Sequence, residues 1–383
     1  MTKTVMLVAG EASGDKHGGE IAKKLIEYDE SIRCIGMGGK AMRNAGVELL
    51  VDSRNIAVVG LFEVLTHWGD IQKALKTLKQ ALKKNPPDLL VLIDYQEFNL
   101  KLAEFAKSLH TRVLFYVSPQ VWAWRQGRVK KIGKAIDMMA VIFPFEAAFY
   151  EKHNVPVRYV GHPLADKVKP SLTKQQAIEQ FQLDPCKKSI ALLPGSRRSE
   201  IIRILPILIE SANIIRRSLE NVQFVLPVAP SLDIEFLQME LEKAKLLGLT
   251  LIEGHTYDAV AHSDAVIVAS GTATLEVALL GTPMAIVYRV SGLSYAVFKR
   301  LLKVKHVGLA NIVAEREVAK EFIQDNARPE DIAAEIVKQL SDSEYQAAIR
   351  EQLKIVTHKL GANDGIQGVS DLVIEMLNHP KGA

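Results

Sequence analysis

The stretch Val113-Leu114-Phe115-Tyr116-Val117-Ser118-Pro119-Gln120-Val121-Trp122-Ala123-Trp124-Arg125 decides how the rest of the chain is read. Five apolar residues in a row, closed by a Ser-Pro break, read as a buried strand. Proline ends it because it has no N–H to give to a ladder. Two of the three tryptophans and an arginine therefore follow a strand's C-terminal end, the edge at which open α/β sheets bind ligands. Tryptophan is also usually well buried. The two rings are then either anchors of the loop on the core or part of a binding rim.

Working outward, apolar runs alternate with helical periodicity along the whole chain, which predicts parallel sheets. Strands are expected at 4–9, 33–36, 89–94, 113–117, 138–142 and 157–160 in the first half. In the second half they are expected at 189–193, 223–227, 250–252, 265–269 and 284–287. Helical patterns such as 201–219 and 331–340 fill most gaps. Each half reads as one doubly wound unit, joined through the polar stretch 165–184 around Pro170. The expected division is 1–168, 185–343 and a helical tail 344–383 that packs back on the first domain or onto a second subunit.

With 383 residues, 48% hydrophobic and 24% charged, the chain has the composition of a soluble protein too long for one ordinary core. The formal charge of +4 suits a small anionic substrate or an anionic surface and is too weak to argue for nucleic acid. Cys34 and Cys186 stand far apart without metal-type spacing, which fits a reducing compartment. The greasy region 265–290 is broken by Ser270, Gly271, Glu276, Gly281 and Pro283, so it does not read as a span of ~20 apolar residues.

Four strand-to-helix turns carry chemistry. Gly10-Glu11-Ala12-Ser13-Gly14-Asp15 presents backbone N–H groups ahead of a helix expected from Gly18 or Gly19. It lacks the G-x-G-x-x-G dinucleotide pattern. Strand 89–94 ends in Asp94, with Phe98 and Asn99 beyond; a partly desolvated carboxylate there either caps the next helix or takes a proton from a hydroxyl. After strand 189–193 comes Pro194-Gly195-Ser196-Arg197-Arg198, whose helix N-terminus and arginine fork suit phosphate. After strand 265–269 comes Ser270-Gly271-Thr272, followed one helical turn later by Glu276, a carboxylate able to accept both hydroxyls of a ribose. Two anion-cradling turns in the second half point to a nucleoside diphosphate there. The Walker pattern is absent, which disfavours ATP hydrolysis. No D-x-D triplet occurs, so no metal cofactor is implied, and helix termini with arginine would stabilise the leaving charge.

From Gly60, apolar residues recur at Leu61, Val64, Leu65, Trp68, Ile71, Leu75, Leu78 and Leu82, with lysines between them. This is an amphipathic helix with a basic face. Its stripe either faces the core or, through Leu61, Phe62, Leu65 and Trp68, rests on lipid.

Taken together, six segments resemble lipid-A-disaccharide synthases along nearly the whole chain. They are VAGEASGD (8–15), YVSPQVWAWRQGRVKKI (116–132), FPFEAAFY (143–150), VGHPLAD (160–166), LPGSRRSEI (193–201) and ASGTATLE (269–276). The resemblance implies a GT-B glycosyltransferase, two Rossmann-like domains facing across a cleft, with C-terminal helices packing back. It implies an inverting transfer from UDP-2,3-diacylglucosamine to 2,3-diacylglucosamine 1-phosphate (lipid X), giving a β-1,6 disaccharide and UDP. On that resemblance Asp94 is the base. Ser196, Arg197, Ser270, Gly271, Thr272, Glu276 and Asn311 hold the donor, and Glu11, Ser13, Gly14, Asn99 and Arg125 line the acceptor side. Arg125, with Arg128 and Lys130, is a candidate for the acceptor's 1-phosphate, and the tryptophans buttress the loop beside Asp94. Acylated substrates imply a cytoplasmic protein on the anionic face of the inner membrane, its Leu61–Trp68 surface touching lipid, and family behaviour implies a homodimer. The chain departs from the family's usual D-A-P-D-F-N at Asp94-Tyr95-Gln96-Glu97-Phe98-Asn99, and Lys16-His17 is unusual. A UDP-GlcNAc 2-epimerase, which needs no lipid patch, is the alternative enzyme; a silent nucleotide-sugar sensor would not need Asp94 with both phosphate turns.

Because diphosphate stabilisation is assigned to protein groups, disaccharide formation is expected to persist in excess EDTA. Loss of turnover that magnesium restores would contradict this.

Overall fold

The computed structural model describes residues 2–55, 68–124, 126–244, 248–291, 295, 305–361 and 364–379. The chain divides into two compact units, Met1–Pro163 with Asn363–Ala383, and Leu164–Ala362. The first unit holds β1 (Thr4–Ala9), β2 (Arg33–Gly38), β3 (Glu48–Asp52), β4 (Leu89–Ile93), β5 (Val113–Tyr116), β6 (Met138–Val141) and β7 (Val157–Tyr159). They pair in the order β3-β2-β1-β4-β5-β6-β7, parallel throughout. The second unit holds β8 (Lys188–Leu193), β9 (Val222–Val228), β10 (Leu249–Glu253), β11 (Ala265–Ala269), β12 (Met284–Tyr288) and β13 (Lys320–Ile323). Their order is β10-β9-β8-β11-β12-β13, again parallel. Each sheet reverses direction of growth once, at β1/β4 and at β8/β11, which opens a crevice beyond those strand ends.

Burial explains why these segments are strands. Leu89–Ile93 and Ala265–Ala269 are buried at every position, as strands covered on both faces must be. In the first unit, Met6, Val8, Leu90 and Leu92 pack against Leu75, Leu78, Leu102 and Ile132 on one face. On the other, Val5, Leu7, Val91 and Ile93 meet Ile21, Leu25, Val369 and Val373. In the second unit the strands pack on the helices Arg198–Ser218 and Pro329–Ser341 through Ile204, Leu208, Ile332 and Ile336.

Several expectations change. The first helix runs Ala12–Tyr28, not from Gly18 or Gly19, so Ser13 and Gly14 lie inside its first turns. Its glycines serve close packing: a Cβ on Gly19 would sit 2.9 Å from the Ala41 backbone. Two edge strands, β3 and β13, were not expected. Residues Lys174–Gln180 within the anticipated linker form a helix capped by Thr173. The tail 344–383 is divided. Ser343–Leu360 belongs to the second unit, while Gly365–Asn378 packs in the first, beside the helix Ala12–Tyr28. The basic helix is observed at Trp68–Lys84, where Ala74, Leu75, Leu78 and Leu82 are buried. Leu61, Phe62 and Leu65, and the side chain of Trp68, fall outside the described residues. Among the described residues no helix is long and apolar enough to cross a membrane.

The helix Gly365–Asn378 sits close to the backbone after β7, since a Cβ on Gly368 would lie 2.1 Å from the Val160 carbonyl oxygen. Gly368→Val is expected to cost about 3 kcal/mol by forcing that helix outward. Thermal unfolding of the variant checks this; an unchanged midpoint would refute the close docking.

Candidate functional site

In the first unit, β1 and β4 pair with Ala9 opposite Ile93. Gly10 and Asp94 therefore leave the sheet side by side at its switch point. Asp94 and Tyr95 both take left-handed backbone angles, φ 49° and 45°. Two successive residues in that region without glycine are costly, and the surroundings show what holds them. The Asp94 amide donates to the Tyr116 carbonyl at 2.9 Å. Asn99 Nδ2 donates to the carbonyls of Asp94 at 2.7 Å and Ile93 at 3.2 Å. The Tyr95 ring fills the space where a Gly10 Cβ would stand, 2.3 Å away.

Burial pushes the Asp94 carboxyl up to about 6, with the negative charge of Glu11 adding to the rise and the Tyr95 amide opposing it. A carboxylate so destabilised is a better proton acceptor than an ordinary aspartate. Glu11 is exposed and acts on Asp94 through its charge.

Of the other residues expected on the acceptor side, Asn99 and Gly14 are buried. Asn99 is fully buried and props the end of β4; it has no surface to offer a ligand. Gly14 is buried inside a helix, where a Cβ would meet Ala9 at 3.2 Å, while Ser13 stays exposed. Arg125 lies outside the described residues. Arg128 forms a two-pronged pair with Glu97, at 2.5 and 3.1 Å. Trp122 is buried and its Nε1 donates to Glu146 at 3.1 Å, so this ring is an anchor of the loop. Asp15, not singled out from sequence, caps the helix Lys40–Asn44 by accepting from Gly39, Ala41 and Met42 at 2.6–3.1 Å.

The second unit contains a cavity of about 730 Å³ beyond the ends of β8, β9, β10 and β11. Pairing of β8 with β11 brings both expected phosphate turns to its wall. Gly195, Ser196 and Arg197 line it from one side, and Ser270, Gly271 and Thr272 from the other. The Ser196 and Arg197 amides are directed at the Glu200 carboxylate, 2.9 and 3.2 Å away, a helix-capping arrangement. Arg197 is exposed and its Nη1 lies 3.6 Å from Glu200. Among the described residues, nothing beyond its chain neighbours lies within 4 Å of where a Gly271 Cβ would be, which leaves that backbone open to close approach. The Ser270 hydroxyl donates to the Val307 carbonyl at 2.8 Å, fixing the turn.

Glu276 lines the same cavity, and the Tyr257 hydroxyl donates to its Oε1 at 3.0 Å. Burial raises the Glu276 carboxyl while that bond opposes the rise. One of its oxygens is thus oriented by tyrosine at the cavity wall. His255 is the N-cap of the helix Thr256–Ala261, which carries Tyr257, after β10; no residue here is singled out from sequence above, although Gly254-His255-Thr256 is built like the other strand-to-helix turns. His255 is held by Asp258, 3.0 Å from its Nδ1.

Asn311 does not reach this cavity. It is fully buried, donating to Ala319 and Glu321 and accepting from the amides of Val318 and Ala319. All four of its hydrogen-bonding positions are used inside the fold. Glu321 also accepts from the Val307 and Gly308 amides at 2.9–3.2 Å, so Asn311 supports the segment that anchors Ser270.

The family model for lipid-A-disaccharide synthetase matches residues 5–367. A lipid-A-disaccharide synthase of Geobacter metallireducens is 50% identical over 375 residues, covering 98% of this chain and 97% of that one. Its counterpart in Geobacter sulfurreducens is 49% identical over 376 residues, covering 97% of each. Among solved structures, a UDP-GlcNAc 2-epimerase from Neisseria meningitidis bound to UDP-GlcNAc has a TM-score of 0.62 at 13% identity, covering 97% of this chain and 100% of that one. The calicheamicin glycosyltransferase CalG4 has a TM-score of 0.62 at 15% identity, covering 100% of both chains. At such identities the likeness shows the fold alone, two parallel-sheet α/β domains of the GT-B kind. It fits the epimerase alternative without favouring it.

Two outcomes follow from the site's electrostatics. A carboxyl whose folded pKa lies above its ordinary 3.8 makes the fold lose stability as pH rises from about 4 to about 6. Asp94→Asn should therefore stabilise the protein at pH 8 by on the order of 2 kcal/mol and change nothing near pH 3, measured by denaturant unfolding. Tyr257→Phe should raise the Glu276 pKa further, read by carboxyl NMR; a fall would show that tyrosine does not support the ionised form.

Proposed function

Because the chain belongs to the lipid-A-disaccharide synthase family, we propose that it transfers a 2,3-diacylglucosaminyl group from its UDP donor to lipid X, with Asp94 as the base. The observation that carries this is Asp94 itself, held in a strained conformation at the switch point with its carboxyl raised to about 6.

The acceptor's 6-hydroxyl gives its proton to the Asp94 carboxylate as the oxygen forms its bond to the donor's anomeric carbon. The bond from that carbon to the diphosphate oxygen breaks, and its electron pair leaves with UDP. Attack opposite the leaving group inverts the centre through an oxocarbenium-like transition state, akin to that of glycosidases, and gives the β linkage. In the second unit, the Ser196–Arg197 and Ser270–Thr272 turns are assigned to the diphosphate. Arg197 and the backbone amides of the Gly271–Thr272 turn oppose its growing charge, a contribution worth about 3 kcal/mol per donor. Glu276, oriented by Tyr257, is assigned to the ribose hydroxyls. Asn311 enters as a support of the Ser270 turn.

Because both substrates carry acyl chains, the protein works at the cytoplasmic face of the inner membrane as a peripheral protein. The Leu61, Phe62, Leu65 and Trp68 segment and the lysines that follow it suit an anionic lipid surface. We also propose a homodimer, as expected from the family resemblance; sedimentation in detergent checks it, and a monomer at all concentrations would refute it.

The direct test is incubation with the two acylated substrates in detergent, followed by mass spectrometry. Disaccharide 1-phosphate and UDP are expected in equal amounts, and their absence would sink the assignment. Asp94→Ala should abolish transfer while leaving UDP binding intact. In the wild type, kcat/KM should rise about tenfold per pH unit below pH 6 and level off above, since the base must be ionised.

A further inference from the structure

β5 ends at Tyr116, and Val117 follows in a left-handed conformation, φ 63°. A β-branched residue in that region is strained, so the structure around it must hold it there. The Val117 amide donates to the Ala140 carbonyl at 3.1 Å. The next residue, Ser118, donates its hydroxyl to Glu146 Oε1 at 2.6 Å. Trp122 Nε1 donates to the same oxygen at 3.1 Å, and Glu146 Oε2 accepts from the Phe143 amide at 3.2 Å. Glu146 is only 2% exposed. A carboxylate buried so deeply is tolerated when its lone pairs are taken, and here three donors take them.

One carboxylate thus ties the helix Pro144–Glu151 to both ends of the turn 118–122. The same helix adds two weaker contacts: Trp122 packs edge-on against Phe145 with ring centres 4.8 Å apart, and the Tyr150 hydroxyl reaches the Pro119 carbonyl at 3.4 Å. Capping this helix needs only the Phe143 bond. The bonds from Ser118 and Trp122, 28 and 24 residues earlier in the chain, are beyond what a cap requires. The turn they hold starts two residues after Tyr116, whose carbonyl receives the Asp94 amide at 2.9 Å. A continuous set of bonds therefore runs from Glu146 through Ser118 and the strained Val117 to the backbone of Asp94.

We infer that Glu146 is a positioning residue for the transfer reaction, holding the turn 118–122 and, through Tyr116, the backbone that aims Asp94. This rests on the reading of Asp94 as the base. Glu146 is buried in the first unit, away from the cavity assigned to the nucleotide in the second, so its loss should act on turnover and leave nucleotide binding alone.

The experiment compares Glu146→Ala, Glu146→Gln, Ser118→Ala and the double variant Glu146→Ala/Ser118→Ala in the full-length protein. It measures kcat, KM for both substrates, UDP affinity by calorimetry and the thermal midpoint. Glu146→Ala should lower kcat a hundredfold or more with UDP affinity within twofold of wild type. Glu146→Gln keeps an acceptor oxygen for Ser118 and Trp122 and should recover kcat to within tenfold of wild type. The double variant should be no slower than Glu146→Ala alone, because both changes break the same bond. A kcat within threefold of wild type in Glu146→Ala would overturn the inference, as would fully additive losses in the double variant. If Glu146→Ala does not fold, Ser118→Ala decides: about a tenfold loss of kcat at unchanged UDP affinity supports the inference, and undiminished kcat overturns it. An inactive Asp94→Asn beside a fully active Ser118→Ala and Glu146→Ala removes this inference only, whereas an active Asp94→Asn removes the reading of the base.

Discussion

The register of one parallel strand pair governs the first unit. With Ala9 set against Ile93, the chain leaves β1 and β4 at adjacent points, and the two segments must share one small space. Glycine at position 10 makes room for the Tyr95 ring, and the buried amide of Asn99 pins the carbonyls behind it. Asp94 is thereby kept in a backbone conformation that a free chain would avoid. Its carboxyl is pressed into low-dielectric surroundings beside Glu11, which raises its pKa. Strain and a perturbed carboxylate thus fall on the same residue, as at sites where stability is given up for chemistry.

The second unit repeats the topology with different chemistry. Leu193 pairs beside Val268, so the turns after β8 and β11 meet at one cavity. Here the crevice is furnished with the open backbone at Gly271, an exposed arginine and three carboxylates: Glu200 on the Ser196 and Arg197 amides, Asp258 beside His255, and Glu276 steadied by Tyr257. Donors of that kind suit an anion, and the Glu276 carboxylate suits a sugar hydroxyl pair. On the proposed reading, two sheets grown by the same rule supply a base in one unit and an anion cradle in the other. This is the division of labour that a transfer from a nucleoside diphosphate sugar calls for.

The sequence made the central strands plain because burial on both faces leaves an unbroken apolar signature, as in Leu89–Ile93 and Ala265–Ala269. It hid β3 and β13 because each lies at a sheet edge, where Glu48, Asp52, Lys320 and Glu321 replace hydrophobic residues. The helix Ala12–Tyr28 was read as starting late because glycines at 14, 18 and 19 look like a loop; in the fold they are where the helix touches its neighbours. Among candidate residues, the placement of those beyond a strand end is legible: Asp94 at the switch point, and the 196–197 and 270–272 turns and Glu276 at one cavity wall. Asn99, Asn311 and Glu146 were not legible in their actual duties. Their partners are decided by tertiary contacts, and a polar side chain that satisfies buried backbone reads in sequence like one that meets a ligand.

Titration of the Asp94 carboxyl by carbon-13 NMR tests most directly whether the fold itself makes Asp94 a base. If it does, the midpoint lies at about 6 and moves downward when Glu11 is replaced by Gln. A midpoint at the ordinary aspartate value of 3.8, unmoved by that replacement, would show that it does not.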